Sequence, residues 1–342
     1  MKNDLISKSG PGDESLASSQ RMNRRGFLRR AGSTGAGLAL AVMQQPLGAR
    51  QTGELPMRVL GRTKEKVSIL GLGTAPVGEG PIGVAEGIKI FSEAIDRGVN
   101  YIDTARIYGN AEEILGHIIP KRRDKLFVVT KVSTDNAARA EQSLNESLRR
   151  LKTDHIDLVH IHSIGGKNID RVLANNGVLN FLLKQKETGK IRFVGISGHN
   201  RPANFVRMIR TDQIDVLMCV MNHADRNIYD FESKVLPEAI KRNVGCAAMK
   251  VYAGIKGGFR NHRNGSVGCA TEPERLPHAM AYGLDLEGVS VAVVGPYTAE
   301  QAIQNVQFAR NYKPLTPKQR ASLLEYGKNL AKSLGPRYGR VI

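Results

Sequence analysis

Short apolar segments alternate with amphipathic helical segments along most of the chain. Runs of Val, Ile and Leu of this length are typical of strands that are buried on both faces. Between these runs, segments such as residues 137–151 place Leu144, Leu148 and Leu151 at the spacing of one helix face. The pattern predicts eight strands, at residues 67–70, 99–102, 126–130, 156–161, 191–196, 214–220, 244–249 and 289–294.

The number of strand–helix units distinguishes two α/β architectures. Eight units over about 240 residues match a closed parallel (β/α)8 barrel, since one unit takes about 30 residues. An open doubly wound sheet typically carries a G-x-G-x-x-G segment after its first strand, and "GLGTAP" at 71–76 lacks that pattern. We therefore expect an α/β fold of the TIM-barrel type, formed as a single domain by residues 50–342.

Elements before and after the repeat extend this barrel. Residues 57–74 read as a hairpin that turns near Gly61 and leads into the first strand. After the last strand, Thr298 and Thr316 stand at N-cap positions, which predicts two additional C-terminal helices. The loop at 252–273 is long, basic and rich in glycine, and such loops are commonly functional.

Residues 1–49 carry a different pattern. The arginine pair Arg24 and Arg25 precedes a Gly/Ala-rich apolar stretch at 31–43, and residues 46–49 follow as a candidate processing region. The apolar stretch is shorter than the roughly 20 residues that span a bilayer, so we expect no stable membrane span. The segment resembles a twin-arginine signal peptide, which directs a protein to the export machinery and is not part of the fold. We therefore expect twin-arginine export to the periplasm.

The composition of the chain indicates which kinds of binding partner to expect. The net charge is +18, but aromatic residues make up only 5% of the chain, and no basic run is interleaved with them. This dispersed charge favours a solvated surface that attracts anionic ligands, and it disfavours nucleic acid as a partner. Three cysteines, Cys219, Cys246 and Cys269, are too few and too irregularly spaced for a disulfide framework or a zinc site.

Four chemically active side chains fall at neighbouring strand ends. Asp103 ends the second predicted strand and Tyr108 lies in the loop after it, while Lys131 and His162 end the third and fourth strands. Reactions in parallel barrels take place where the carboxyl ends of the strands meet. The pattern therefore predicts one site that contains a carboxylate, a phenol, an ammonium group and an imidazole.

The segment "DTARIYG" at 103–109 matches the aldo-keto reductase signature of Asp, a small residue, Ala, two variable positions, Tyr and Gly. Lys131 and His162 fall where that family places its other two catalytic groups. The chain resembles this family over roughly residues 57–310. The resemblance implies an oxidoreductase that uses NAD(P)H to reduce the carbonyl group of a small-molecule aldehyde or ketone.

The roles implied for these four groups have a physical basis. Reducing a carbonyl group produces an alkoxide that must receive a proton, and a tyrosine with an ordinary pKa near 10 is a poor donor at neutral pH. Tyr108 is expected to donate the proton, and the Lys131 ammonium to lower the pKa of its phenol. Asp103 is expected to hold Lys131 charged, and His162 to hydrogen-bond the carbonyl oxygen.

The resemblance also implies a nicotinamide cofactor, with NADP(H) favoured over NAD(H). The residues expected to bind it lie on the first strand, after the fifth and seventh strands, and in the segment after the eighth strand: Gly73, Thr74, Ser197, Lys250, Gly295, Tyr297, Gln301, Gln304 and Asn305. No lysine or arginine lies between Gly295 and Asn305, so a 2′-phosphate would depend on Arg260 or Arg263.

Four positions around the expected nicotinamide site depart from the family pattern. The residue after His162 is Ser163 in place of the common Trp, and Met249 replaces a Tyr that stacks on the nicotinamide. Gly198 and Met218 replace two amide side chains that hold the carboxamide. These replacements predict micromolar or weaker cofactor binding.

Two other classes of function fit parts of the pattern. His160, His162, His199 and His223 lie in or after three successive strands, where imidazoles could bind zinc in a hydrolase, but no matched carboxylate completes a metal site. A scaffold that binds the cofactor with little turnover fits the altered nicotinamide site. Bound metal would identify the first class, and cofactor binding without turnover the second.

Overall fold

The computed structural model describes residues 53–256 and 268–342, whose strands form a two-stranded hairpin and a closed barrel. The strands are β1 (Met57–Val59), β2 (Lys66–Ser68), β3 (Leu70–Gly73), β4 (Tyr101–Asp103), β5 (Phe127–Val132), β6 (Ile156–Ile161), β7 (Ile191–Gly198), β8 (Val216–Val220), β9 (Gly245–Met249) and β10 (Val289–Val294). In the barrel, β3 to β10 pair in chain order, all parallel, and β10 pairs back with β3. The predicted (β/α)8 TIM barrel is confirmed.

Helices follow the barrel strands and cover its outside. They are α1 (Ala75–Glu79), α2 (Val84–Ile95), α3 (Ala111–Leu115), α4 (Ala137–Leu151), α5 (Ile169–Leu173), α6 (Val178–Glu187), α7 (Pro202–Ile209), α8 (Phe231–Lys234), α9 (Leu236–Lys241), α10 (Leu276–Leu284), α11 (Ala299–Arg310) and α12 (Pro317–Leu334). Thr298 and Thr316 cap α11 and α12 through their side chains, as predicted. None of the helices in the described ranges combines the length and apolar character that crossing a membrane requires.

The first predicted strand, at 67–70, is wrong in its bounds. One apolar run serves two elements there, because β2 ends at Ser68 and β3 begins at Leu70. Gly71 lies inside β3, where a Cβ atom would come within 2.9 Å of the Tyr101 ring. This strand position therefore requires glycine, since the barrel interior leaves no room for a side chain there.

The hairpin packs against one end of the barrel. β1 and β2 pair antiparallel, and the turn between them passes through Gly61 with a positive φ of 49°. A Cβ atom on Gly61 would lie 2.4 Å from the backbone nitrogen of Gly245, so only glycine fits this approach. Leu60 is fully buried beside it. The hairpin thus packs against the amino-terminal end of β9, opposite the ends that carry the predicted site.

Stacked aromatic rings fill the part of the barrel next to the hairpin. The Tyr101 and Phe127 ring centroids lie 5.6 Å apart, and those of Phe127 and Phe193 lie 6.1 Å apart. Asp103, two positions after Tyr101, and Lys131, four positions after Phe127, lie nearer the carboxyl ends of the same strands. The predicted catalytic side chains therefore lie at the end of the barrel opposite the hairpin.

Two predicted segments lie outside the described residues. One is the export signal at 1–49 together with the domain boundary at residue 50, and the other is the part of the basic loop that contains Arg260 and Arg263. Both remain predictions.

Candidate active site

The centre of the site is an ion pair between neighbouring strands. Asp103 ends β4 and Lys131 lies near the end of β5, and the Lys131 Nζ atom is 2.8 Å from an Asp103 carboxylate oxygen. Lys131 also donates a hydrogen bond of 2.7 Å to the carbonyl oxygen of Thr104. The Lys131 side chain is fully buried. Burial lowers the pKa of Lys131 and raises that of Asp103, and the contact between the two charges opposes both shifts.

Tyr108 lies against this ion pair. The Lys131 Nζ atom is 4.6 Å from the centroid of the Tyr108 ring, at the distance of a cation–π contact. Within the described residues, the Tyr108 hydroxyl has no hydrogen-bond partner. The half-buried phenol therefore keeps its hydroxyl available to a ligand.

One sequence expectation about Tyr108 is wrong. Lys131 was expected to lower the pKa of the phenol, but burial raises that pKa well above its ordinary value, and the carboxylates of Asp103 and Glu79 raise it further. The Lys131 charge is offset by its direct contact with Asp103, so it does not dominate the field at Tyr108. The phenol is accordingly protonated at neutral pH.

His162 completes the group immediately after β6. Its ring meets the Tyr108 ring edge-on at a centroid distance of 6.0 Å. Burial, followed by the nearby charges of Lys131, Lys167 and Lys250, lowers the pKa of His162 to about 3, so the imidazole is neutral. Its Nδ1 atom lies 3.1 Å from the Ser133 hydroxyl, which leaves Nε2 for a ligand.

A cavity of about 950 Å³ opens above these groups. Its wall includes Asp103, Tyr108 and His162 from the predicted catalytic set. From the predicted cofactor set it includes Gly73, Thr74, Lys250, Gly295, Tyr297, Gln301, Gln304 and Asn305. Lys131 and Ser197 do not line it: Lys131 is buried beneath Tyr108, and Ser197 is buried with no hydrogen-bond partner for its hydroxyl among the described residues.

The end of β3, the first strand of the barrel, joins the catalytic and cofactor sides of the cavity. Thr74 follows β3 and donates its hydroxyl to the carbonyl oxygen of Asp103 at 3.0 Å. A Cβ atom on Gly295, after β10, would lie 2.6 Å from the Pro76 ring, so the backbones approach closely here. This close approach brings the end of β10 against the start of α1, beside the Asp103 backbone.

The amino-terminal end of α11 forms the far wall. Gln301 accepts a hydrogen bond of 2.8 Å from the backbone of Tyr297, and Asn305 accepts one of 2.7 Å from the Tyr252 hydroxyl. Lys250, Lys256 and Arg337 lie around the same cavity. A helix amino terminus together with several cations suits the phosphates of a dinucleotide, so the residues fit the expected cofactor.

The departures from the family pattern have structural counterparts. Met249 lines the cavity, while Met218 is almost fully buried in the barrel and does not. At Gly198 a Cβ atom would lie 3.0 Å from the Phe205 ring and 3.2 Å from the backbone nitrogen of Ile164. A larger side chain at residue 198 would therefore require its neighbours to move.

The C-terminal segment, residues 335–342, forms a wall of the cavity that the sequence pattern does not predict. Arg337 makes two hydrogen bonds to the Asp225 carboxylate, at 2.9 and 2.8 Å. The Tyr338 ring packs on His199 with centroids 4.8 Å apart, and both residues line the cavity. A short segment after a helix has no periodicity, and its turn formers Gly335, Pro336 and Gly339 mark the end of α12 without showing where the chain goes next.

The histidines in the described part of the chain are not grouped as metal ligands. No group of three or more His, Cys, Asp or Glu side chains in the described residues is placed to hold a metal ion. His160 is fully buried inside the barrel, and its ring occupies the space beside Gly195, where a Cβ atom would come within 2.4 Å of Nδ1.

Residues 69–278 match the model of the Aldo/keto reductase family. L-galactose dehydrogenase from Arabidopsis thaliana is 33% identical over 158 residues, which cover 42% of this chain and 49% of that protein. The chain thus spans about half the length of the curated relative.

Two solved structures share the fold. The holo form of an aldo-keto reductase from Bacillus halodurans has a TM-score of 0.66 and 24% identity, over 80% of this chain and 96% of that one. An aldo-keto reductase from Klebsiella pneumoniae in complex with NADPH has a TM-score of 0.64 and 22% identity, over 81% of this chain and 95% of that one.

Proposed function

Because the chain belongs to the aldo/keto reductase family, we propose that it is an NAD(P)H-dependent oxidoreductase that reduces an aldehyde or ketone to an alcohol. One observation carries this proposal. The buried Asp103–Lys131 ion pair lies against Tyr108 at the wall of a cavity that also contains the neutral imidazole of His162. These are the groups that protonating a developing alkoxide requires.

The chain contributes binding, orientation and a proton. A bound nicotinamide supplies the hydride that the carbonyl carbon receives. His162 donates a hydrogen bond from Nε2 to the carbonyl oxygen, which requires that the Ser133 hydroxyl donate to Nδ1. Tyr108 gives its proton to the same oxygen, because an alkoxide is a far stronger base than a phenolate. Lys131 lies close enough to stabilise the phenolate that remains.

The cofactor of this proposal is a nicotinamide dinucleotide, with NADP(H) favoured over NAD(H). Lys250 and Lys256 lie on the cavity wall together with the amino-terminal end of α11, which gives an anionic ligand several favourable contacts. The residues expected to bind the cofactor along this wall are Gly73, Thr74, Lys250, Gly295, Tyr297, Gln301, Gln304 and Asn305, with Ser197 behind it.

The test uses the full chain. NADPH and NADH are titrated by fluorescence, and a panel of aldehydes and ketones is then followed by loss of reduced-nicotinamide absorbance. We expect both cofactors to bind in the micromolar range, NADPH more tightly, and at least one aldehyde to be reduced. Cofactor binding without reduction of any carbonyl compound would favour a scaffold with little turnover, which the altered nicotinamide site also fits. Absence of cofactor binding would reject both.

We also propose that residues 1–49 direct twin-arginine export to the periplasm. The support is the Arg24–Arg25 pair followed by a short apolar stretch. Replacing Arg24→Lys together with Arg25→Lys should hold the folded, active precursor in the cytoplasm. Normal amounts of the double variant outside the inner membrane would contradict the twin-arginine mechanism.

A further inference from the structure

A groove of about 680 Å³ lies beside the cavity that contains Tyr108 and His162. We call it the basic groove and define it by Arg106, Ser133, Thr134, Asp135, Arg139 and Lys167. Ile107 belongs to the walls of both the groove and the cavity, and 47% of its surface is exposed. A ligand that extends from Tyr108 past Ile107 would therefore enter the groove.

Ser133 connects this groove directly to His162. Its hydroxyl lies 3.1 Å from His162 Nδ1, and its carbonyl oxygen accepts a hydrogen bond of 2.6 Å from the Lys167 ammonium group. The ammonium and the imidazole are thus separated by a single residue. A ligand group at Lys167 would lie within the reach of a small molecule whose carbonyl group is at His162.

The cations of the groove lack carboxylate partners. None of Arg106, Arg139 and Lys167 makes an ion pair with any residue in the ranges 53–256 and 268–342. By contrast, Arg149 and Arg150 further along α4 both pair with Glu146 at 2.7 Å. The groove cations therefore keep a positive charge, whereas Arg149 and Arg150 are neutralised by Glu146.

Two acidic residues at the groove limit this charge without cancelling it. Glu146 is already engaged by the two arginines named above, and Asp135 lies near Lys167 without forming an ion pair. Burial lowers the pKa of Lys167, and Asp135 opposes that shift. A bound anion would favour the charged lysine in the same way.

The start of α4 adds to the attraction. The helix has 15 residues and begins beside the groove, where Asn136 caps the backbone nitrogen of Arg139. The positive end of the helix dipole lies in this first turn, which contains Arg139, and such an end favours a negative charge.

We propose that the basic groove binds a carboxylate or phosphate group at the far end of the carbonyl substrate. This inference rests on the proposed carbonyl reduction and assigns its substrate class: aldehydes or ketones that carry an anionic group beyond an apolar spacer. Ile107 contacts the spacer, while Arg106 and Lys167 hold the anion.

The test compares para-formylbenzoate with its neutral methyl ester as substrates of the full chain. We expect kcat/KM to favour the anionic aldehyde by about tenfold in wild type, as two partly exposed charge contacts allow. The double variant Arg106→Gln with Lys167→Gln should lose this preference, and the ratio of the two kcat/KM values is the readout because Lys167 also contacts Ser133 beside His162. Lys184 is an exposed lysine on α6, outside the groove. The control Lys184→Gln also removes one positive charge and should keep the preference for the anionic aldehyde.

Inorganic phosphate separates a free anion from a substrate group. If the groove serves the substrate, phosphate at saturating NADPH should raise KM for para-formylbenzoate and leave the ester unaffected. If phosphate under these conditions leaves KM for para-formylbenzoate unchanged, or changes both substrates equally, the substrate assignment is overturned.

The outcomes also separate this inference from the proposed function. Reduction of both compounds without preference, or a preference that survives in the double variant, would overturn the groove and leave carbonyl reduction standing. If neither compound is reduced, carbonyl reduction is in question, and calorimetric titration of para-formylbenzoate then decides the groove. Equal affinity of wild type and the double variant would overturn it, and loss of binding in the double variant alone would support it.

Discussion

Two buried ion pairs flank the same cavity. In the first, Lys131 meets Asp103 at 2.8 Å, and in the second, Arg337 meets Asp225 at 2.8 Å. Both carboxylates are almost completely shielded from solvent. The first pair joins two barrel strands, whereas the second attaches the C-terminal segment to the loop after β8.

The cations explain why similar pairs differ in their consequences. Arginine stays charged and holds a carboxylate through two parallel hydrogen bonds, which suits a fastening role. Lysine is a compact charge whose pKa responds to burial, and Lys131 also faces the Tyr108 ring. The pair whose charge can be tuned thus lies next to the proposed proton donor, and the pair with fixed charge holds Tyr338 over the cavity.

The largest effect should come from the tyrosine beside the first pair. Tyr108→Phe removes the only proposed proton donor, so turnover should fall by about 10²- to 10⁴-fold while cofactor affinity stays nearly unchanged. Steady-state assays measure turnover, and fluorescence titration measures cofactor affinity separately. Tyr338→Phe, beside the second pair, is the matched control and should keep most of its turnover. If Tyr108→Phe kept more than about a tenth of wild-type turnover, the proton-donor role would be wrong.

Exchanging the cations should separate the two pairs. Lys131→Arg keeps the charge but places a planar, bulky group in a fully buried position, so we expect kcat to fall by at least about tenfold. Arg337→Lys loses one of two parallel hydrogen bonds, so we expect a higher KM and about 1 kcal/mol less stability, with kcat retained. Steady-state kinetics and thermal unfolding check both variants. Equal losses of kcat in the two variants would show that the Lys131–Asp103 pair is no more important for turnover than the Arg337–Asp225 pair.

The first pair was predictable from sequence and the second was not. Asp103 and Lys131 each close an apolar run in a repeating pattern, and a parallel barrel brings such strand ends together whatever its loops do. Arg337 and Asp225 lie 112 positions apart, in segments without periodicity. Their contact depends on how the C-terminal segment folds back, and local pattern carries no information about that.

Local sequence pattern also predicted the surroundings of Tyr108 only in part. Sequence spacing correctly placed Lys131 near the phenol, yet the sign of the pKa shift depends on burial and on the distance from Lys131 to Asp103. The bounds of the first strand failed for a related reason. A continuous apolar run does not reveal where the chain leaves the hairpin and enters the barrel.

A third cation, Lys250, lies between the two pairs on the cavity wall and should make cofactor binding depend on pH. Burial lowers its pKa to about 8, so its amine is charged below that pH and neutral above it. An anionic cofactor favours the charged form, so the affinity for NADPH should weaken as pH rises above about 8, by up to about tenfold per pH unit. Fluorescence titration across this range measures the slope. Lys250→Gln should flatten it, and an unchanged slope in that variant would assign it to another group.

The smallest expected effect concerns the two buried histidines near the pairs. Burial, followed by the charges of Lys131, Lys167 and Lys250, lowers the pKa of His162 to about 3. Burial also lowers the pKa of His199, and there both Lys131 and Arg337 add to the shift. Because His162 is neutral across the working range, kcat/KM for a neutral aldehyde should change by less than about twofold between about pH 5 and pH 7. His162→Asn, which keeps a neutral hydrogen-bond donor, should retain this flat profile at reduced turnover. A step near about pH 6.5 that disappears in His162→Asn would mean that the imidazole titrates normally and that burial and the nearby charges do not lower its pKa.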